Sequence, residues 1–287
     1  MKTLTRDAYL PLIDLALAED VRDGDVTSLS VIPADVIWSA RMVAREDLVV
    51  AGLPVFDAVF QRLDPDVLVT HRVADGDLVS TGTSLVTLEG KARSILSGER
   101  VALNFAQRLC GVATLTHSYV DAIKGFQCQI LDTRKTIPGW RRLEKYAVSC
   151  GGGQNHRIGL YDMVMIKDNH LAVLSNEENP IAAAVERARA SYPSLKVEVE
   201  ADTVEQAVSA AAAGADIILL DNMTIEALRR CVELIDRRSK TEASGGITLD
   251  SIQSIAATGV DFISVGALTH SAPAVDLAFD IDPTYSS

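Results

Sequence analysis

Basic side chains in this sequence collect around a glycine-rich segment, and their types point to a site for an anionic ligand. Residues 150–159 read CGGGQNHRIG, in which three glycines lead into an Asn, a His and an Arg. We expect the glycines to let the backbone pass close to a bound group. Three more basic residues lie on either side of this segment: Arg134 and Lys135 before it and Lys167 after it. The arginine of the segment itself is Arg157. Arg offers a planar guanidinium that matches carboxylate or phosphate, and Lys offers a movable positive charge. Together these four residues predict a pocket for a ligand with several negative charges.

Acidic and glycine-containing motifs follow the later apolar runs and extend the same site. Glu200 and Asp221 are predicted either to hold Mg2+ through oxygen ligands or to stabilise positive charge in a transition state. Glu198, on the same strand face as Glu200, is either a supporting group or a structural one. The loops Ser244-Gly245-Gly246 and Gly266-Ala267 follow late strands, as phosphate-binding loops of α/β barrels do.

The elements that must position these residues form a regular βα alternation. Short β-rich runs are predicted at 128–132, 163–167, 196–200, 216–221, 241–244 and 261–266. Amphipathic helical stretches separate most of them, which favours a parallel sheet covered by helices. The polar residues named above lie where strands stop, and in a parallel barrel those ends converge on one face. Six strands are too few for a complete eight-stranded barrel.

The part of the chain before this alternation has a different pattern. Apolar residues at helical spacing predict a helix over 5–20, and three runs within 36–90 predict strands separated by turns. Residues 92–123 are again predicted to be helical.

Composition restricts the possible partners and the compartment. The 287 residues carry a formal net charge of −12, which argues against nucleic acid or an anionic membrane as a general partner. The four cysteines are not spaced as in a zinc, redox or disulfide motif. Because the first 20 residues lack a signal-peptide pattern and no apolar run reaches the length of a membrane span, we expect a cytoplasmic protein.

The sequence LDTRKTIPGWRRLEKYAVSCGGGQNHRIGLYDMVMIKDNH resembles the quinolinate phosphoribosyltransferase family, also called carboxylating nicotinate-nucleotide pyrophosphorylases. VEVE, ILLDNM, EASGGI and ISVGALTHS follow in the family's order, and the resemblance spans nearly the whole chain. It implies a pentosyltransferase that joins quinolinate to phosphoribosyl pyrophosphate with Mg2+, forming nicotinate mononucleotide, pyrophosphate and carbon dioxide in NAD biosynthesis. The implied fold is an N-terminal α/β open sandwich (1–113) and an incomplete TIM-like α/β barrel (114–271), with the tail 272–287 packing back on the sandwich.

The resemblance also implies roles for particular residues. Arg134, His156 and Arg157 are expected to clamp the quinolinate carboxylates, while Lys135 and Lys167 lie between the two substrates. Arg100 is expected to enter the site of a neighbouring subunit, which makes the working unit a homodimer at least. The remaining expected residues are Thr133 in the binding loop, Glu200 and Asp221 near the ribose and Mg2+, and Ser244, Gly245, Gly246, Val265, Gly266 and Ala267 around the 5-phosphate.

Three other functions compete with this interpretation. A molybdenum-transport-associated paralogue shares the implied fold and acts on a different anionic substrate. A Schiff-base aldolase would use Lys135 or Lys167, but such a lysine needs desolvation or a cationic neighbour. The segment HRVADGDLVSTGTSLVTLEG resembles half of a biotin- or lipoyl-carrier fold, although no modifiable hairpin lysine accompanies it.

Overall fold

The computed structural model describes residues 3–281, which form two compact units. The first unit contains residues 3–117, 136–152 and 268–281, and the second contains 118–135 and 153–267. The segment 136–152 lies in the first unit, although the sequence placed a domain boundary at 113/114. It is tied there by the ion pair between Glu144 and Arg108, 2.6 Å apart, and by the Tyr146 hydroxyl, which donates to Asp75 over 2.6 Å.

The N-terminal part of the chain alternates short helices and antiparallel strands before one long helix. Phe56 and Phe60, both fully buried, pack with their ring centroids 5.2 Å apart in the core of this unit. The predicted helices at 5–20 and 92–123 and the strands within 36–90 are confirmed. In chain order the elements are α1 (Arg6–Asp20), α2 (Val26–Val31), β1 (Ile37–Ala44), β2 (Leu48–Val49), α3 (Leu53–Leu63), β3 (Leu68–His71), β4 (Leu78–Val79), β5 (Ser84–Lys91) and α4 (Ala92–Ala122).

Beyond α4 the chain follows the predicted βα alternation. All six strands expected from the sequence are present, each within two residues of its predicted bounds. The elements are β6 (Gln129–Leu131), α5 (Arg141–Cys150), β7 (Val164–Ile166), α6 (Asp168–Val173), α7 (Pro180–Ser191), β8 (Val197–Ala201), α8 (Val204–Ala212), β9 (Ile217–Asp221), α9 (Ile225–Ile235), β10 (Lys240–Ser244), α10 (Ile252–Ala256), β11 (Phe262–Ser264), α11 (Ala267–His270) and β12 (Leu277–Ile281).

Strand order shows that the second unit is an interrupted barrel. Its parallel sheet has the order β6-β11-β10-β9-β8-β7, so the first strand lies beside the last, as in a closed barrel. The ladder is interrupted between β6 and β7, the two strands that a closed barrel would pair. The expected incomplete α/β barrel is therefore confirmed, and the carboxyl ends of its strands share one edge.

The first unit is completed by the C-terminal end of the described chain. Strand β12 pairs antiparallel with β1, in the sheet order β12-β1-β5-β3. The rest of the predicted returning tail, residues 282–287, lies outside the described residues. Across residues 3–281, none of the helices combines the length and the apolar composition that crossing a membrane requires.

The glycine run after α5 is explained by packing within the first unit. A Cβ atom on Gly151 would lie 2.3 Å from the carbonyl oxygen of Ala113 in α4, which no side chain tolerates. Gly152 has a φ of +89°, the left-handed region that favours glycine. These two glycines therefore let the end of α5 approach α4, and the close approach that we expected to a ligand is made to a helix.

Candidate active site

Most of the predicted site residues of the second unit lie at or just beyond the carboxyl ends of its strands, whereas His156 and Arg157 lie in the loop between α5 and β7. Thr133, Arg134 and Lys135 follow β6, and Lys167 follows β7. Glu200 lies in β8, Asp221 ends β9, Ser244 ends β10, and Val265 follows β11. Arg100 lies elsewhere, on α4 in the first unit, and it is exposed.

Lys167 and Glu200 form an ion pair at the ends of neighbouring strands. The Lys167 ammonium contacts the Glu200 carboxylate, with side-chain exposures of 42% and 14%. The backbone N–H of Lys167 donates to Nδ1 of His170 over 2.9 Å, at the turn where α6 begins. His170 therefore fixes the backbone that carries the lysine, a role that the sequence did not reveal.

Asp221 is held against the glycine loop that follows β10. Its carboxylate accepts a hydrogen bond from the side-chain amide of Asn222 over 2.7 Å, and its strand register places it beside Ser244. Gly245 has a φ of +100°, and a Cβ there would lie 2.2 Å from the Asn222 side-chain oxygen. Only glycine fits between these loops, so Gly245 and Gly246 present exposed backbone at this strand end.

Asp132 anchors the loop that carries His156 and Arg157. The fully buried carboxylate accepts the backbone N–H of His156 over 2.8 Å and the Asn155 amide over 2.7 Å. Gln154 extends the edge of β6 through a parallel bridge to Leu131. The loop therefore occupies the free edge of β6, next to the interruption in the barrel.

Arg157 reaches from this loop to β7 and lies near Arg134. Its guanidinium donates to the carbonyl oxygen of Met163 over 3.2 Å and to the sulfur of Met165 over 3.3 Å. Burial lowers the pKa of Arg157, and the charge of Arg134 lowers it further. Two guanidinium groups that repel one another at the mouth of a barrel favour an anion between them.

His156 is directed into the barrel interior. Its side chain is 7% exposed, and Nε2 lies 3.1 Å from a Glu198 oxygen and 3.4 Å from a Glu242 oxygen. Glu198 is in β8 and Glu242 in β10, so the sheet curves enough for one imidazole to meet both strands. The sequence did not identify Glu242, because a Glu does not stand out in a strand that also contains Lys, Thr and Ser.

Two groups of acids in this unit have the chemistry to hold a metal ion. Among the described residues, His156, Glu198 and Glu242 have ligand atoms that all lie within 4.8 Å of one another. Glu200 and Asp221, the predicted Mg2+ ligands, offer carboxylate oxygens at the ends of adjacent strands. Because hard cations prefer oxygen ligands and Mg2+ commonly shares its shell with substrate phosphates, the pair fits Mg2+ with a phosphorylated substrate present.

Comparisons with known proteins agree with this architecture over nearly the whole chain. Residues 25–110 match the quinolinate phosphoribosyl transferase N-terminal domain, and residues 112–280 match the C-terminal domain of the same family. A Bacillus subtilis (strain 168) protein named "Probable nicotinate-nucleotide pyrophosphorylase (carboxylating)" is 44% identical over 271 residues, covering 94% of this chain and 92% of that protein. Quinolinate phosphoribosyltransferase (decarboxylating) 1b of Nicotiana tabacum is 41% identical, covering 94% of this chain and 81% of the relative.

Solved structures give the same result for the fold. The structure of the nicotinate-nucleotide pyrophosphorylase from Francisella tularensis superposes with a TM-score of 0.92 at 39% sequence identity, covering 98% of each chain. Both domains of the family are matched, in order and almost in full. The chain therefore belongs to the quinolinate phosphoribosyltransferase family.

Proposed function

We propose that this protein is a decarboxylating phosphoribosyltransferase that converts quinolinate and phosphoribosyl pyrophosphate into nicotinate mononucleotide, pyrophosphate and carbon dioxide. The observation that carries the proposal is the Lys167–Glu200 ion pair at the ends of neighbouring strands, in the unit that also holds Arg134 and Arg157. This arrangement suits a planar dicarboxylate next to an anionic donor. The family's names support the same substrates.

The residues act by positioning and by electrostatics, without an enzyme nucleophile. Arg134 and Arg157, with His156 behind them, bind the pyridine carboxylates, and Lys135 and Lys167 lie between the substrates. As pyrophosphate leaves, ribose C1 becomes oxocarbenium-like and the pyridine nitrogen attacks it, while Glu200 and Asp221 stabilise the positive charge. The new pyridinium then accepts the electron pair released as the 2-carboxylate departs as carbon dioxide.

The donor's charged groups require their own partners. The cradle for the 5-phosphate is formed by two loops, Ser244, Gly245 and Gly246 after β10 and Val265, Gly266 and Ala267 after β11. Thr133 belongs to the binding loop after β6. Glu200 and Asp221 would hold Mg2+, which would offset the negative charge of the pyrophosphate.

The proposal includes a homodimer in the cytoplasm. Arg100 has an exposed side chain on α4, and we propose that it completes the quinolinate site of the partner subunit. The four cysteines are free thiols, which supports a reducing compartment.

The test is a product assay with purified protein, quinolinate, phosphoribosyl pyrophosphate and Mg2+. We expect nicotinate mononucleotide and carbon dioxide in equal amounts, and neither product when the donor is omitted. Folded protein that forms no product, beside an active reference enzyme, would contradict the proposal. That result would favour the molybdenum-associated paralogue and a different anionic substrate.

A further inference from the structure

Two buried carboxylates lie behind the proposed quinolinate site, against a single imidazole. Glu198 and Glu242 are both 0% exposed, and both are directed at Nε2 of His156. Their four oxygens make no hydrogen bond of ordinary geometry among residues 3–281, so their contacts to Nε2 are ion-pair contacts. Burying two acids at one place is unfavourable, because each carboxylate loses its hydration. A fold that retains them calls for a physical explanation.

The charges in this cluster depend on one another. Burial lowers the pKa of His156, but hydrogen bonds and charges from Glu198 and Glu242 outweigh burial and raise it. Burial raises the pKa of Glu198, and the charge of Glu242 adds to this effect, while His156 and Arg157 lower it. Nε2 faces both carboxylates, at 3.1 and 3.4 Å, and this geometry places a ring proton at that nitrogen.

The opposite edge of the same ring contacts the backbone of Arg157. The Arg157 backbone N–H donates to Nδ1 of His156 over 2.7 Å, a contact that opposes a second proton at Nδ1. The Arg157 side chain then reaches Met163 and Met165 in and beside β7. A continuous series of contacts thus joins two acids in β8 and β10 to the guanidinium at the barrel mouth.

We propose that Glu198 and Glu242 are positioning residues that hold the Nε2–H edge of His156, so that its Nδ1 edge fixes the backbone of Arg157 and aims that arginine at the pyridine dicarboxylate. This inference rests on the proposed function for the identity of the ligand. In this arrangement His156 acts through Arg157, because both ring nitrogens are directed at protein groups. Removing either acid should therefore affect the binding of quinolinate and not that of phosphoribosyl pyrophosphate.

Paired substitutions separate this role from simple packing. In Glu198→Leu and Glu242→Leu the volume is nearly kept but the acceptor is lost, and we expect the KM for quinolinate to rise about tenfold. In Glu198→Gln and Glu242→Gln an acceptor oxygen remains, and we expect a rise of less than about threefold. The KM for phosphoribosyl pyrophosphate and kcat should change less than about threefold in all four variants. Glu233→Gln removes the same charge from the exposed surface of α9 and serves as the matched control.

Three kinetic results would contradict the proposal. Leucine variants with a wild-type KM for quinolinate would overturn it, as would an equal rise in the KM of both substrates. Equal losses in the Gln and Leu variants would also overturn it, because an acceptor at these positions would then have no value.

A second measurement uses the wild-type protein and does not depend on whether the variants fold. With 15N-labelled histidine we expect one imidazole Nε2–H resonance protected from exchange with water, because Nε2 of His156 is buried against the two acids. Loss of this protection in the wild type, or one equivalent of tightly bound zinc or manganese per chain, would overturn the proposal. If the protected resonance is present but the wild type forms no nicotinate mononucleotide, the proposed function fails instead.

Discussion

Lys167 has a carboxylate as its direct partner. Its ammonium contacts Glu200, so it carries a fixed charge where the two substrates are proposed to meet. We expect Lys167→Ala to lower kcat by about 100-fold, the usual effect of removing one group that stabilises a transition state. Steady-state kinetics with both substrates will measure this loss.

The control for this substitution is Lys167→Arg, which keeps the charge and changes its geometry. It should retain more activity than the alanine variant, although Arg and Lys are not equivalent at such a site. Melting temperatures should stay close to the wild type in both, because the Lys167 side chain is 42% exposed. A Lys167→Ala enzyme with nearly normal kcat would remove Lys167 from the mechanism.

The exposed and half-buried cations could be identified from sequence, whereas the buried acids behind them could not. Arg134 and Lys167 follow strands, Arg157 lies in a glycine-rich loop, and all three carry a charge that a soluble fold does not require there. Glu242 lies in a strand, and its partner His156 is distant in the chain, so no local pattern joins them. The pairing depends on the curvature of the sheet, which appears only when β8 and β10 are placed around one imidazole.

At the scale of elements, the end of β6 determines the position of the loop at 154–157. Asp132 accepts hydrogen bonds from Asn155 and from the backbone of His156. We expect Asp132→Ala to lower the free energy of unfolding by about 1–3 kcal/mol, since it leaves buried donors unsatisfied. Urea denaturation followed by circular dichroism will measure the change.

Asp132→Asn is the matched variant, because it keeps one acceptor oxygen and removes the charge. We expect it to recover part of the stability and part of the affinity for quinolinate. If Asp132→Ala unfolds at the same urea concentration as the wild type, the loop is held by other contacts.

The glycine loop after β10 is proposed to bind the phosphate of the donor, and Gly245 tests this role. Gly245→Ala introduces a Cβ where the Asn222 side-chain oxygen lies 2.2 Å away, at a φ of +100°. We expect the loop to shift and the KM for phosphoribosyl pyrophosphate to rise about tenfold or more, with a smaller change for quinolinate. Gly214→Ala, which has a φ of +80° and open space around it, controls for backbone strain alone. An equal change in both KM values would argue against a phosphate cradle in this loop.

For the molecule as a whole, the alternation of strands and helices could be predicted from the sequence, whereas the packing of residues 136–152 against the first unit could not. The six parallel strands are readable because short β-rich runs alternate with amphipathic helical stretches and end in polar residues. The packing of 136–152 with the first unit depends on side chains such as Glu144, which pairs with Arg108 from a distant segment. Tertiary ion pairs of this kind leave no periodic signal along the chain.

Subunit exchange tests whether two copies of the chain build each site. We expect Arg100→Ala and Lys167→Ala to be nearly inactive separately. If Arg100 acts in the partner's site, a hybrid dimer has one site with both residues intact and one with neither. Random exchange of equal amounts makes half of the dimers hybrid, so about one quarter of all sites recover (one half times one half) in a two-fold symmetric dimer.

The mixing experiment distinguishes the two possible placements of Arg100 without a structure of the complex. If Arg100 served its own subunit, every site in the mixture would lack either Arg100 or Lys167, and no activity would return. Recovery should depend on subunit exchange, so it should appear only after dissociation and reassociation, checked by sedimentation. A recovered site contains both of the cations proposed to bind substrate, so it should show the wild-type KM for quinolinate. A recovered rate with an altered KM would mean that the hybrid sites are not intact, and Arg100 would then have another role.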